Sequence, residues 1–304
     1  MALTRLLGPQ RRHLWFWVFT GPFVAGLAVF VYVPLLWSVG LSFFDAQNTV
    51  TPTRFVGLGN YATVLADPAF RSSLATFAVF AVVIVPATFG LSLGLALLVH
   101  AAGPGRAFFR SVFFLPAACS YVAAGLIWKT AIFNGVRFGL ANTVLRLFGR
   151  NPVAWLSTAH PAWYWLPIGT ARLWLQSGFY MLLFLAGLSR IPSVLYEAAA
   201  LDGAQLGWQR FRHITWPQLR RTSVAVVLLL AVNAFQAFDE FFTLLSTTRG
   251  YPPYARPPLV YLYYVALGQG QNLGVGSAGA VVLALVILVF TAGQARRLRL
   301  GRAR

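Results

Sequence analysis

Acidic residues are scarce in this sequence. Only six of its 304 residues are Asp or Glu, and charged residues of both signs make up 10% of the chain. A soluble domain carries roughly 25% charged residues, because its surface is in contact with water. With 58% hydrophobic residues, the composition argues against an ordinary soluble protein and predicts one that lies in a membrane.

Other residue types are too few or too scattered for particular kinds of chemistry. The single cysteine, Cys119, has no partner for an internal disulfide, and the four histidines lie in different segments, which argues against a metal site. Lys129 is the only lysine, and the glycine-rich pattern of a nucleotide-binding P-loop does not precede it. The chain also has no nucleophile elbow and no clustered acid–base pair. We therefore predict that it is not an enzyme, that it holds no cofactor, and that any ATP chemistry belongs to another polypeptide.

Long apolar runs account for most of the chain. Crossing a hydrocarbon core of about 30 Å takes about 20 helical residues. Six runs are long enough: Leu14 to Gly40, Leu74 to His100, Ser111 to Phe133, Trp163 to Leu188, Ser223 to Leu245 and Gly274 to Gly293. The first run is too long for the apolar core of a signal peptide, which favours a retained helix. The sequence thus predicts an all-α polytopic membrane protein with six transmembrane helices in one integral domain, residues 1–304.

Small residues and prolines interrupt these runs. Gly90 and Gly94 have the G-x-x-x-G spacing that lets two helices approach closely, and Gly274, Ala278 and Gly279 cluster in the sixth run. Proline removes a backbone donor and can kink a helix. Prolines of this kind occur at Pro34, Pro86, Pro116 and Pro167.

The net charge of +18 is distributed unevenly between the two sides of the predicted bundle. If the N-terminus is cytoplasmic, the inner segments carry 15 basic residues and the outer segments carry eight. Inner loops of membrane proteins are enriched in Lys and Arg, so this bias predicts that both termini are cytoplasmic. The excess of basic residues is therefore explained by the orientation of the chain in the lipid bilayer, and no nucleic acid partner is predicted.

Polar side chains inside the fourth and fifth runs are the first candidates for a transport pathway, because each costs free energy unless it faces a cavity or a partner. They are Arg172, Gln176, Ser177 and Tyr180 in the fourth run, and Asn233, Gln236, Asp239 and Glu240 in the fifth. The spacing of Asn233, Gln236 and Glu240 predicts a single helical face. Alternatives stay open for these charged residues. The two acids either belong to the pathway or lie near the outer interface. Arg172 either faces the cavity, which would suggest an anionic or highly polar solute, or pairs with Asp239, Glu240 or a partner subunit.

A polar block, YEAAALDGAQLGWQRFRHITWP, separates the fourth run from the fifth. Its alanines predict a short helix over Val194 to Leu201, and Gly203 permits a sharp turn. A second helix from about Ala204 to Ile214 would carry Trp208, Phe211 and Ile214 as an apolar stripe, and Pro217 would bend the chain into the next span. Two such helices suit either docking to a protein or lying on the lipid surface.

The same block resembles the EAA loop of ABC importer permeases. The resemblance rests on Glu197-Ala198-Ala199, on Asp202-Gly203-Ala204 and on Ile214-Thr215-Trp216-Pro217 between two spans. Further motifs resemble the carbohydrate-uptake branch: Phe55 to Tyr61 (FVGLGNY), Phe114-Leu115-Pro116, Gly125 to Trp128, and Gly178-Phe179. The first of these favours the first permease subunit of that branch, the type similar to maltose permease F and glycerol-3-phosphate permease A.

This resemblance implies a type I ABC importer permease fold and a set of partners. The chain would form half of a translocation pore for a sugar, oligosaccharide or glycerol-phosphate-type solute in the cytoplasmic membrane of a bacterium or archaeon. A second permease subunit would complete the pore. Two ATPase subunits would bind ATP and Mg, and an extracytoplasmic solute-binding protein would deliver the solute.

The resemblance also implies roles for individual residues. In the coupling loop, residues 191–217, the predicted ATPase-coupling residues are Glu197, Ala198, Ala199, Asp202, Gly203, Trp208, Phe211, Ile214 and Pro217. Glu197 would anchor the loop in the ATPase, and the aromatic stripe would brace it against neighbouring spans. On the substrate path, local matching adds Gly178, Tyr180, Asn233, Gln236, Ala237 and Glu240 to Arg172 and Gln176. The alternative function is a self-sufficient carrier driven by protons through Asp239 or Glu240.

Overall fold

The computed structural model of this chain consists almost entirely of helices. It describes residues 9–135, 139–201, 203, 207–246, 251–268 and 270–300. The helices are α1 (Pro9–Leu27), α2 (Val33–Leu41), α3 (Gly59–Ala66), α4 (Pro68–Ala101), α5 (Arg106–Phe114), α6 (Tyr121–Ile127), α7 (Leu140–Leu147), α8 (Trp165–Leu188), α9 (Ser193–Leu201), α10 (Trp208–Arg210), α11 (Trp216–Phe235), α12 (Asp239–Leu245), α13 (Pro258–Leu267) and α14 (Leu273–Leu300). Within these ranges the one sheet is an antiparallel pair of two-residue strands, β1 (Phe44–Asp45) and β2 (Arg54–Phe55). The predicted all-α fold is confirmed.

Among the residues that the structure describes, five helical stretches are long and apolar enough to cross a membrane: Leu14–Leu41, Pro68–Ala101, Trp165–Leu188, Trp208–Phe235 and Leu273–Gln294. A sixth crossing is formed only if two helical pieces, Gly103–Ala118 and Tyr121–Ile132, are counted together. These two pieces meet at an angle of 93°. The described residues thus give five candidate spans, and the predicted number of six is reached if the bent pair is counted as one span.

The bend in the third span has a local cause. Pro116 lies in a 3₁₀ turn, Leu115–Ala118, that ends α5, and proline cannot donate the backbone hydrogen bond that a continuing helix needs. A new helix starts at once, because the Ser120 hydroxyl accepts a hydrogen bond from the Val122 amide and so caps α6. The predicted span from Ser111 to Phe133 is therefore two helices with a corner between them.

The fifth span differs from the prediction at both of its ends. It begins at Trp208 instead of Ser223, and α10, a π-helical turn (Phe211–Thr215) and α11 form one stretch. Pro217 directly follows the π-helical turn, and the helical stretch continues through it without a sharp bend. The helix ends at Phe235, and residues 236–238 separate it from α12. The predicted run from Ser223 to Leu245 thus contains a break in the backbone.

The structure groups into two compact units, and the first comprises residues 1–67 and 262–284. Within it, the FVGLGNY motif joins β2 to α3. The Asn60 side chain is buried and donates to the carbonyls of Ser42 (3.0 Å) and Phe44 (2.8 Å), and the hydroxyls of Tyr61 and Ser42 lie 2.6 Å apart. The motif therefore fastens the end of α2 and the hairpin to α3.

Only some of the small residues allow close packing within the chain. A Cβ atom added at Gly274 would lie 2.4 Å from the Phe44 carbonyl oxygen, and one added at Gly279 would lie 2.3 Å from Leu262. At Gly90 and Gly94 an added Cβ would meet nothing within 4 Å. The G-x-x-x-G spacing on α4 thus brings no other part of the described chain close to it.

The second unit comprises residues 68–261 and 285–304. Its core is a cluster of buried apolar side chains from α4, α8 and α11, which includes Val99, Met181, Phe184, Leu219 and Val226. Of the polar residues predicted for the pathway, α8 carries Arg172, Gln176, Ser177 and Tyr180, and α11 carries Asn233. The prediction that the whole chain is one integral domain stays a prediction.

Candidate functional site

A buried ion pair links α8 to α12 in the second unit. A guanidinium nitrogen of Arg172, Nη1, lies 2.5 Å from Oε1 of Glu240. Arg172 is 3% exposed and Glu240 is 2% exposed. Burying one charge alone is costly, so each of these side chains needs the other. Of the alternatives left open by the sequence, the structure shows the one in which Arg172 pairs with an acid of the fifth run, Glu240.

Arg172 also holds the end of α11. Its Nη2 donates to the main-chain carbonyl of Asn233 at 2.7 Å. The amide that would bond this carbonyl in a continuing helix is that of Ala237, but Ala237 donates to Ala234 instead. The Asn233 carbonyl accepts from Gln236 in a tighter turn and from Arg172. A single guanidinium therefore bonds both sides of the break between α11 and α12.

A cavity of about 260 Å³ lies beside this pair. Four of its lining side chains are a tyrosine or an amide: Tyr121, Gln176, Tyr180 and Asn233. The rest of the lining is apolar or weakly polar and consists of Phe114, Ala117, Cys119, Leu175 and Phe179. Aromatic faces cover sugar rings, and amide and phenol groups bond hydroxyls.

Hydrogen bonds order the polar wall of the cavity. Nε2 of Gln176 donates to the Tyr121 hydroxyl at 2.8 Å and to Oδ1 of Asn233 at 3.0 Å. Arg172 lies behind this wall, and its guanidinium carbon is 5.3 Å from the Tyr121 ring centre and 5.8 Å from that of Phe80. The cation is thus enclosed by two aromatic rings and by Glu240.

The structure separates the predicted substrate-path residues into groups. Gln176, Tyr180 and Asn233 line the cavity, whereas Arg172 and Glu240 lie behind it as the ion pair. Gly178, Gln236 and Ala237 are not in the lining.

The three residues outside the lining each have a different setting. A Cβ atom at Gly178 would lie 1.9 Å from the Phe113 carbonyl oxygen, so Gly178 lets α5 contact α8. Gln236 is exposed and Ala237 is buried in the break. Because α11 ends at Phe235, Asn233, Gln236 and Glu240 do not share one helical face, and that prediction is wrong.

Sequence reasoning missed two important side chains of the lining, Tyr121 and Phe179. Tyr121 begins α6 directly after the corner in the third span. Its hydroxyl inside an apolar run, close to a proline, was a signal available in the sequence. Phe179 belongs to the Gly178-Phe179 motif but has no polar atom to mark it.

Lys129 fixes the other end of α12. Its ammonium group donates to the main-chain carbonyl of Thr243 at 3.1 Å and to that of Ser246. These carbonyls belong to the last turn of α12, where a cation is favourable. Arg172 holds the first turn and Lys129 the last, so cations from two other segments fasten both ends of this short helix.

Replacing Lys129 with Met is expected to destabilise the C-terminal end of α12, because the carbonyls of Thr243 and Ser246 lose their charged hydrogen-bond donor. We expect the free energy of unfolding to fall by roughly 1–3 kcal/mol. The measurements are the thermal midpoint of the purified protein and amide hydrogen exchange at residues 243–246. Lys129→Arg keeps the cation and serves as the control. Equal midpoints and equal exchange in Lys129→Met and the unmodified chain would contradict this role.

The segment from Ile191 to Pro217 contains the predicted coupling loop. Its first helix, α9, spans Ser193–Leu201 and so includes the predicted Val194 to Leu201. Gly203 has φ of +88°, which agrees with the predicted turn, and Gly207 has φ of +92°. Asp202 and residues 204–206 lie outside the described residues.

The aromatic stripe of this segment is only partly packed. Phe211 packs against the core cluster, and Ile214 is half-buried. Trp208 is 68% exposed and stacks only loosely on Phe211, with ring centres 5.4 Å apart. Phe211 thus has the predicted bracing position, whereas Trp208 lies beside a hollow of about 340 Å³ that it lines with Phe211, Arg212 and Trp216.

Two contacts join α9 to the helix that follows it. The guanidinium carbon of Arg210 lies 4.0 Å from the Tyr196 ring centre, and the Tyr196 hydroxyl is 3.2 Å from that of Thr215. Glu197 and Ala198 face outward and are exposed, Ala199 is half-buried, and Pro217 is exposed. The carboxylate of Glu197 is therefore available to a partner.

Comparisons with known proteins cover nearly the whole chain. No protein-family model matches it. It is 31% identical over 274 residues to a probable ABC transporter permease protein of Pyrococcus horikoshii, a match covering 90% of this chain and 91% of that protein. It is 34% identical over 282 residues to AraP, the arabinooligosaccharides transport system permease protein of Bacillus subtilis, covering 90% and 85%.

A solved structure has the same fold. It is a chain of the bacterial alginate ABC transporter crystallised in complex with alginate pentasaccharide-bound periplasmic protein. The TM-score is 0.80 with 23% sequence identity, and the match covers 97% of this chain and 98% of that chain. The predicted type I importer permease fold agrees with this match.

Proposed function

The chain belongs to the permease proteins of ABC transporters, and we propose that it imports a sugar or sugar-like solute as one half of a translocation pore. The cavity carries this proposal. Its lining combines the aromatic rings of Tyr121 and Tyr180 with the amides of Gln176 and Asn233, and this combination suits a ring that carries hydroxyl groups. AraP, a relative at 34% identity, is named for arabinooligosaccharides, which supports a carbohydrate.

The proposed partners are a second permease subunit, two ATPase subunits that bind ATP and Mg, and an extracytoplasmic solute-binding protein. The single lysine, outside any P-loop pattern, supports a separate ATPase. The alginate transporter of the same fold was crystallised with a periplasmic protein, which supports the delivery of solute from outside. The membrane is the cytoplasmic membrane of a bacterium or archaeon, and the Arg distribution supports cytoplasmic termini.

Coupling to the ATPase is proposed to occur through α9 and the turn at Gly203. Glu197 is exposed on α9, and it is one of two acids, with Asp202, in the 191–217 segment. The exposed Trp208 and the hollow beside it offer a largely apolar surface on the helix that follows α9. Closure of the ATPase dimer would move α9, and Phe211 would transmit the movement to α8 and α11.

The alternative, a carrier driven by protons through Asp239 or Glu240, has weaker support. Glu240 is held in an ion pair with Arg172 and so is not a free carboxylate. The similar proteins described above are permease components of transport systems.

Uptake into liposomes tests the proposal. The chain is reconstituted with its ATPase, its second permease and its solute-binding protein, and supplied with arabinotriose, maltotriose, sn-glycerol 3-phosphate or an alginate trisaccharide. We expect uptake of at least one sugar that requires ATP and is lost when the ATPase is omitted. Uptake by the chain alone, driven by a proton gradient, would favour the carrier instead.

A further inference from the structure

The side-chain amide of Asn233 has a fixed orientation. Its Oδ1 accepts from Nη2 of Arg172 at 3.3 Å and from Nε2 of Gln176 at 3.0 Å. A guanidinium can only donate, so the oxygen of the amide must face Arg172 and its NH₂ group must face away. Among the described residues no acceptor bonds this NH₂ group. Since Asn233 lines the cavity, the NH₂ group is free to donate to a bound solute.

The other polar groups of the wall are ordered in the same way. Gln176 uses its NH₂ group for Asn233 and Tyr121, which leaves its carbonyl oxygen as an acceptor. The Tyr121 hydroxyl accepts from Gln176 and retains its own hydrogen for donation. The wall therefore offers donors and an acceptor together, which is what a hydroxyl group requires of its neighbours.

The wall carries no charge of its own. Within the described part of the chain, the cavity lining contains no Arg, Lys, Asp or Glu. The guanidinium of Arg172 lies behind the wall, and Glu240 neutralises it in direct contact. A charge this close would attract an anion strongly across a medium of low dielectric constant if its counter-charge were missing.

We propose that Arg172 is a positioning residue that, neutralised by Glu240, orients the Asn233 amide so that the cavity selects uncharged, hydroxyl-bearing solutes over anions. The proposal rests on the proposed function and narrows its solute to neutral sugars. Arg172 fixes the amide, and Glu240 removes the attraction that Arg172 would otherwise exert on a carboxylate or phosphate. The two charges are required as a pair, because removing either leaves the other buried and uncompensated.

Binding to the assembled permease–ATPase complex, without the solute-binding protein, tests this selectivity. The probes are labelled arabinotriose and the same trisaccharide with one terminal CH₂OH oxidised to a carboxylate, measured by equilibrium dialysis. The unmodified complex is expected to prefer the neutral probe. Glu240→Gln leaves the cation of Arg172 uncompensated, and we expect the ratio of carboxylate to neutral affinity to rise by about tenfold or more.

Two further variants separate positioning from a general structural role. Arg172→Lys keeps a cation for Glu240 but cannot hold Glu240 and Asn233 in the same fork, so neutral affinity should fall by about tenfold while the ratio stays near that of the unmodified complex. Arg172→Gln with Glu240→Gln removes both charges. This double variant should return the ratio to within about threefold of the unmodified complex.

A ratio that does not change in Glu240→Gln, in a complex that elutes as a single species, would overturn the proposal. If Glu240→Gln does not assemble, the test rests on Arg172→Lys and on the double variant. A preference for the carboxylate probe in Arg172→Lys, in the double variant or in the unmodified complex would also overturn the proposal. Absence of binding of both probes to the unmodified complex also overturns it. Failure of the proposed function itself would appear separately, as absence of ATP-dependent uptake in liposomes.

Discussion

Replacing Glu197 with Lys is expected to reduce ATP-driven uptake by about tenfold or more, to near background. Glu197 is exposed on α9 and offers a carboxylate in a segment that also contains Arg210 and Arg212. A lysine there removes the proposed contact with the ATPase and reverses the charge at that position. The measurements are uptake in reconstituted liposomes and copurification of the ATPase subunit. Both are expected to fall together.

Gln209→Lys is the control, since it places the same lysine side chain at another exposed position of the segment outside the EAA pattern. It should keep most of the uptake. Gly203→Pro should reproduce the defect of Glu197→Lys by a different route, because proline requires φ near −65° and Gly203 has +88°. Normal uptake and normal ATPase copurification in Glu197→Lys would remove α9 from the coupling pathway.

Replacing Gly178 with Ala is expected to destabilise the second unit severely. The added methyl group would lie 1.9 Å from the Phe113 carbonyl oxygen and 2.9 Å from Cα of Phe114, so backbone would have to move. Overpacking against side chains costs about 1–3 kcal/mol, and backbone yields less easily. We expect the free energy of unfolding to fall by about 3 kcal/mol or more, which lowers the thermal midpoint by roughly 10 °C.

Gly169 supplies the control on the same helix. An added Cβ there meets nothing within 4 Å, and alanine favours a helix over glycine by about 1 kcal/mol. Gly169→Ala should therefore leave the thermal midpoint unchanged or raise it. If Gly178→Ala were as stable as Gly169→Ala, α5 would not approach α8 as closely as described, and the packing role of Gly178 would be wrong.

The helices of this chain were predictable because their cause is local. A run of about 20 apolar residues is enough to cross a hydrocarbon core, wherever the run packs. The ends of the fifth span were less predictable, because their cause is not local. The apolar run extends from residue 223 to residue 245, and its polar residues do not by themselves mark a break. The backbone nevertheless breaks at residues 236–238, just after the point where Arg172, from another helix, bonds the carbonyl of Asn233. A hydropathy pattern does not contain that bond.

The aromatic stripe of the 191–217 segment shows a second limit. Helical spacing places Trp208, Phe211 and Ile214 near one another, but it does not say what they face. Phe211 packs against the core cluster, while Trp208 is 68% exposed in the isolated chain. Its exposed surface is consistent with the proposed docking of another subunit.

The sequence by itself determined the membrane class, the helical fold, the Gly203 turn and the family resemblance of the EAA segment, because composition, glycine conformation and short motifs are local properties. Only the tertiary structure decided that Arg172 pairs with Glu240, that Tyr121 joins Gln176 and Asn233 around one cavity, and that Gly178 is a packing residue. These outcomes depend on distances between residues far apart in the chain. Burial then sets their energetics. A charge that is solvated at the surface needs a specific partner inside the bundle. A methyl group that fits anywhere at the surface needs a specific space inside the bundle.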